Sequence, residues 1–211
     1  MTIDQLKGAT MAKSSANAGT LLPYLEETFS KYNIITPVRQ LCFLSQIGHE
    51  SAGLYYTEEL ASGGAYEGRT DLGNTETGDG RKFKGRGLIQ ITGRGNYKAL
   101  SKEFGVDFVK NPELLGGKNL GVSTSDQIRY SVLSAGWFWN QKNLNSFADK
   151  IDLSKPIDEG ENYNNFKQIT RKINGGLNGL QDRIDRFKNG VKSFYFQDSS
   201  PMKPDSATAY A

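Results

Sequence analysis

The segment TPVRQLCFLSQIGHE, Thr36 to Glu50, constrains the fold of this 211-residue chain more than any other stretch. Thr36 has the side chain of an N-cap, and Pro37 suits the first helical position, where its missing N–H leaves no bond unmade. Phe43, Ile47 and Glu50 follow i, i+4, i+7 and share one face. Val38, Leu41, Cys42 and Ser45 take the other side, so apolar surface runs round most of the circumference. A helix of that kind must be surrounded by other elements. It ends on the only histidine of the chain, His49, followed directly by Glu50, and Glu58 and Glu59 come soon after.

Further segments can supply the surroundings. GTLLPYLEETFSKYN places Leu21, Leu22, Leu25 and Phe29 near helical spacing. TSDQIRYSVLSAGWFWNQ opens with Thr124 and Gln127 at the spacing of a capping box. LQDRIDRFKNGVKSF carries Leu180, Ile184, Phe187 and Val191 on one stripe. Trp137 and Trp139 lie two apart on a helix, point in different directions, and are expected to be mainly structural. Before the Thr124 helix, ASGGAYEGRTDLGNTETGDGRKFKGRG has no period, and a loop that long in a compact domain is more often functional than structural. LIQIT, which follows, reads as a short strand or tight extended segment. The expected architecture is mainly α: one two-lobed helical domain over residues 1–198, with a small loop-and-strand element and a cleft. A polar, flexible tail is expected over 199–211.

The net charge of +3 and a pI near 8.8 suit a polyanionic surface such as a bacterial envelope, and are far from a nucleic-acid footprint. No nucleic-acid partner is expected. Cys42 is the only cysteine, so no intrachain disulfide can form. MTIDQLKGATMAKSSANAG has no apolar run behind its charges, and no stretch approaches the ~20 apolar residues of a membrane span. The expectation is a soluble protein made in the cytoplasm without a signal peptide or membrane insertion.

The residue inventory narrows the chemistry. A helical zinc site needs a second histidine four residues after His49, and position 53 is glycine. No metal or other cofactor is expected. No G-x-S-x-G elbow exists, and a Cys42–His49 pair would point its sulfur into the core. Carboxylates remain. Glycoside hydrolysis needs one carboxyl group that donates a proton and another that stays ionised. Glu50, on a face with Phe43 and Ile47, suits the donor; Glu58 and Glu59, at the start of the polar region, suit the base. Position alone also allows Glu50 an ordinary helix-end hydrogen bond. FKGRGLIQITGRGNY lacks the ending of a phosphate loop but offers Gln90, Thr92, Asn96 and Tyr97, the hydrogen-bonding and aromatic groups that a sugar requires. Alternation along IQIT puts Gln90 and Thr92 on one side and the isoleucines on the other.

IGHESAG, KGRGLIQITGRGNY, SAGWFW and INGGLNGLQDR, in that order, resemble glycoside hydrolase family 19, and most closely its compact endolysins from bacteriophages and prophages. The similarity runs from about Leu21 to Phe194. It implies a lysozyme-like fold and inverting hydrolysis of β-1,4 bonds in peptidoglycan, leading to host-cell lysis. It implies Glu50 as general acid, Thr92 as the hydroxyl that helps hold the attacking water, and Gln90, Asn96 and Asn174 in the sugar cleft beside Tyr97. Arg183 matches an arginine near the catalytic base, and His49 would orient Glu50 or brace the cleft. For the base, counting from Glu50 gives Glu59, whereas aligning TEEL on its leucine gives Glu58. Glu59 is preferred, since the short turn carries no sign of a deletion; Glu67 and Glu76 are outside candidates. Inversion requires carboxyl groups roughly 6.5–9.5 Å apart. The resemblance further implies a monomer that acts on glycan strands of the periplasmic wall and is released by a separate holin-like protein. Chitin is the rival substrate, and a lytic transglycosylase using one glutamate the rival reaction.

Overall fold

The computed structural model describes residues 1–195. The expected boundary at 198 and the tail 199–211 lie outside the described residues. Helix α1 covers Ile3–Thr10, α2 Ser15–Lys31, α3 Pro37–Glu50, α4 Asp79–Lys82, α5 Arg94–Phe104, α6 Ser125–Gln141, α7 Asn145–Ala148, α8 Gly160–Asn174 and α9 Leu180–Tyr195. The protein is mainly α, with β-structure among the described residues confined to the isolated antiparallel bridges Tyr56↔Asn119, Glu58↔Arg86 and Arg86↔Ile91. No helix among the described residues is long and apolar enough to cross a membrane.

α3 is the central helix. Thr36 caps it, its hydroxyl accepting the Arg39 amide, and every residue from Leu41 to Gly48 is buried. α1 and α9 pack along it, α1 also meets α2, and α2 meets α6 on the far side. Phe43 is the hub, edge-on to Phe29 at 5.9 Å and to Trp139 at 5.4 Å between ring centroids. Trp137 and Trp139 are both buried, and the Trp139 indole N–H donates to Asn145 Oδ1 at 2.8 Å. Their role is packing. Thr124 and Gln127 form the expected capping box at the start of α6. Burial also pushes the Cys42 thiol pKa up, which leaves it an inert core group.

Two expectations change. α2 starts four residues before Gly19, because Ser14 caps it through the Asn17 amide. LIQIT forms no strand. Gln90 has φ +57° in the left-handed region, and its amide donates to the Gly87 carbonyl at 3.2 Å, so the chain turns there. The turn still separates the side chains as alternation would: Ile89 and Ile91 are buried, while Gln90 and Thr92 remain half-buried.

Candidate active site

The C-terminal end of α3 and the strap of residues 56–92 face one another across an open cleft of ≈ 400 Å³. Glu50 stands on the helical side; Glu58, Glu59 and Tyr66 come from the strap, with Gln90 and Thr92 from its returning turn. Glu50 is held from behind. Arg183, a fully buried residue of α9, donates Nη2–H to Glu50 Oε1 and Nη1–H to Gln46 Oε1 at 2.6 Å. Glu50 Oε2 has no hydrogen-bond partner among the described residues, which leaves it for a ligand. The expected apolar setting of Glu50 therefore gives way to a charge pair.

His49 is tied to the same helix. Its Nδ1 lies 2.6 Å from Asp182 Oδ2, and Asp182 also accepts Arg186 Nε at 2.6 Å. Adjacent residues of α3, His49 and Glu50, are thus clamped by adjacent residues of α9, Asp182 and Arg183. Arg186 passes the restraint to α1 by donating to the Thr10 carbonyl. Burial acts to raise the Asp182 pKa, but hydrogen bonds from Arg186 and His49 outweigh it and hold the carboxyl below its usual range. The His49 ring rests on Gly179, where φ is +69°.

The neighbouring glutamates of the strap have different surroundings. Glu58 is bound to Lys84 Nζ at 2.6 Å and Arg86 Nε at 3.0 Å. Burial acts to raise its pKa, yet those cations together keep it below the ordinary carboxylate range. Glu59 has no cation on its carboxylate among the described residues. Its Oε2 accepts the Gly85 amide at 2.8 Å and its Oε1 the Tyr66 hydroxyl at 3.3 Å. Thr92 Oγ1 donates to the Gln90 carbonyl at 2.9 Å and keeps its lone pairs available. The arrangement can present one carboxyl group, one hydroxyl and a second carboxylate to a chain lying in the cleft.

The profile of the family described as Chitinase class I, glycoside hydrolase family 19, matches residues 41–198. The chain belongs to glycoside hydrolase family 19. A glycosyl hydrolase family 19 domain-containing protein of Haemophilus influenzae is 30% identical over 189 residues, covering 75% of this chain and 81% of that protein. An Arabidopsis thaliana endochitinase is 31% identical over 168 residues, and the chain spans 50% of its length. Chitinase C of Streptomyces griseus superposes with a TM-score of 0.63 over 91% of both chains at 21% identity, which establishes the shared lysozyme-like fold. This family 19 chain is accordingly a chitinase-like glycoside hydrolase.

Several expected site residues of the family 19 chain lie behind the cleft rather than in it. Tyr97 is fully buried: its hydroxyl donates to the Lys84 carbonyl at 2.6 Å and accepts Arg86 Nη1 at 3.0 Å. It supports the strap and offers no face to a sugar. Arg183, expected near the base, pairs with Glu50 instead, because α9 packs on α3. Asn174 binds within its own loop, to the Asn178 carbonyl and the Gly176 amide. Asn96 Nδ2 donates to the Thr92 carbonyl at 2.8 Å, fixing the turn that carries Thr92. Glu67 accepts the Gly78 and Gly80 amides and Glu76 pairs with Arg94, so both staple the loop. Sequence reading missed Asp182, Arg186, Tyr66 and Gln46. Only Asp182 and Arg186 had a local signal, their i, i+4 spacing on α9.

Proposed function

We propose that the protein is an endolysin that hydrolyses β-1,4 glycosidic bonds of bacterial peptidoglycan with inversion, Glu50 acting as general acid and Glu59 as general base. The observation that carries this reading is the cleft that brings Glu50, Glu59 and Thr92 together while Glu58 is neutralised by Lys84 and Arg86. Glu50 Oε2, free of protein partners among the described residues, delivers its proton to the leaving oxygen. Arg183 holds Oε1 and stabilises the carboxylate that results. Thr92 already donates its hydrogen to the Gln90 carbonyl, so it can only accept from a water molecule. A water that gives one hydrogen to Thr92 and the other to Glu59 keeps a lone pair for the anomeric carbon, on the face away from the leaving group.

The wall as substrate is supported by the resemblance to phage endolysins and by a single cysteine that can form no intrachain disulfide. In this reading the enzyme is a monomer, needs no cofactor, and reaches the periplasmic wall through a separate holin-like protein. Chitin is the second reading, favoured by the names of the plant relatives and of the Streptomyces enzyme. Purified peptidoglycan and colloidal chitin, digested side by side with products resolved by mass, separate them. Reducing muropeptides from the wall polymer are expected. Release from chitin alone would give the role to the chitinase reading, and anhydro sugars would indicate a transglycosylase.

A further inference from the structure

A second concavity, of ≈ 280 Å³, opens beside the cleft between Lys13 and Asn17 on one side and Ala52, Gly53 and Tyr55 on the other. Tyr56 lines both spaces, so a substrate that passes Glu50 and crosses Tyr56 meets this concavity next. Tyr55 is 47% exposed and its ring lies perpendicular to that of Tyr56, centroids 4.7 Å apart. The cations nearest the catalytic groups are already committed: Lys84 and Arg86 to Glu58, and Arg183 to Glu50. Lys13 is exposed and has no acidic partner among the described residues.

We propose that this concavity is a branch subsite for the peptide stem of peptidoglycan, with the Lys13 ammonium opposite a stem carboxylate and the Tyr55 ring against the stem's aliphatic part. The proposal rests on the peptidoglycan reading above. A neutral β-1,4 glycan of N-acetylglucosamine has no carboxylate to place there. Peptidoglycan has the same backbone, but alternate sugars carry a lactyl-linked peptide ending in carboxylates. A cation set to the side of the cleft, rather than on its floor, suits a group that branches from the glycan. Such an exposed pair discriminates modestly and is weakened by salt.

The test compares steady-state kinetics on soluble peptidoglycan fragments and on the same strands stripped of peptide by an amidase, for wild type, Lys13→Gln, Lys13→Glu and Lys13→Arg. KM on the peptide-bearing fragments should rise roughly threefold for Lys13→Gln and about tenfold for Lys13→Glu at low salt. These increases should shrink at high salt, kcat should hold, and Lys13→Arg should behave as wild type. On stripped strands, where the amidase leaves only the lactyl carboxylate at the sugar ring, KM should move far less with the charge at position 13. Equal changes on both substrates, or none on either, overturn the branch subsite while leaving the peptidoglycan reading intact. A wild type that cleaves chitin oligosaccharides but neither wall fragment overturns both.

Discussion

Replacing Gly179 with alanine should disconnect His49 from α9. A Cβ on Gly179 would stand 2.1 Å from His49 Cε1 and 2.3 Å from Nε2, so the ring must leave its seat. Two costs add. Alanine at φ +69° costs roughly 1–2 kcal/mol, because its Cβ crowds the carbonyl oxygen. The displaced ring loses its bond to Asp182, a charge-assisted contact in the range of roughly 1.5–3 kcal/mol. His49 and Asp182 are 29% and 40% exposed, which places the loss near the low end, about 1.5 kcal/mol. Gly179→Ala should therefore destabilise by about 3 kcal/mol and His49→Ala by about 1.5 kcal/mol, measured by urea unfolding. The double variant removes the ring and its bond once, leaving only the backbone strain to be added. It should match Gly179→Ala within about 0.5 kcal/mol, a coupling of about 1.5 kcal/mol. Strict additivity of the two single changes would refute the steric argument and the His49 seat with it.

Other perturbations test the strap. Gly85→Ala would place a Cβ 2.8 Å from Gln90 Oε1 and 2.9 Å from Glu59 Oε2, both ends of flexible side chains. Activity should fall about 10- to 100-fold while the thermal midpoint barely moves, as read by turnover and calorimetry on the same preparation. Tyr97→Phe strands the Lys84 carbonyl and one Arg86 N–H, and chemical denaturation should register a loss of roughly 1–3 kcal/mol. Glu58 and Asp182 have lowered pKa values in the folded chain, so they contribute stability above the ordinary carboxylate range. That stability is lost as pH falls through their folded values. Midpoints followed downward from pH 5 should fall less steeply in Glu58→Gln than in wild type.

The central helix was legible because apolar residues take most of its circumference: a surface helix would bury one stripe, whereas every residue from Leu41 to Gly48 is buried. The capping box of Thr124 and Gln127 was legible for the same local reason. α1 and α8 were not. α8 mixes charged and amide residues through GENYNNFKQITRKIN and buries only a narrow stripe, so its helical state depends on packing against the rest of the fold. At the site, the glutamates were visible, with Glu50 and Glu59 preferred as acid and base, but the cations that pair with Glu58 were not. Lys84 and Arg86 lie 26 and 28 residues beyond Glu58 in the chain, and only the folded strap brings them to it. Tyr97 misled because a tyrosine in a glycine-rich segment resembles a sugar platform, whereas its ring fills the core beside Phe83 at 5.1 Å. Arg183 was expected near the base, and the structure shows it paired with Glu50. Sequence order says nothing about which carboxylate a buried guanidinium will face.

The most direct test of the account is the release of reducing sugar from peptidoglycan by Glu50→Gln, Glu59→Gln and Glu58→Gln, each checked for folding by circular dichroism. Loss of activity in the first two, with most activity retained in Glu58→Gln, is the predicted result, because only Glu50 and Glu59 are assigned to proton transfer. Full activity in Glu59→Gln, or its loss in Glu58→Gln while the fold persists, would contradict the two-carboxylate account.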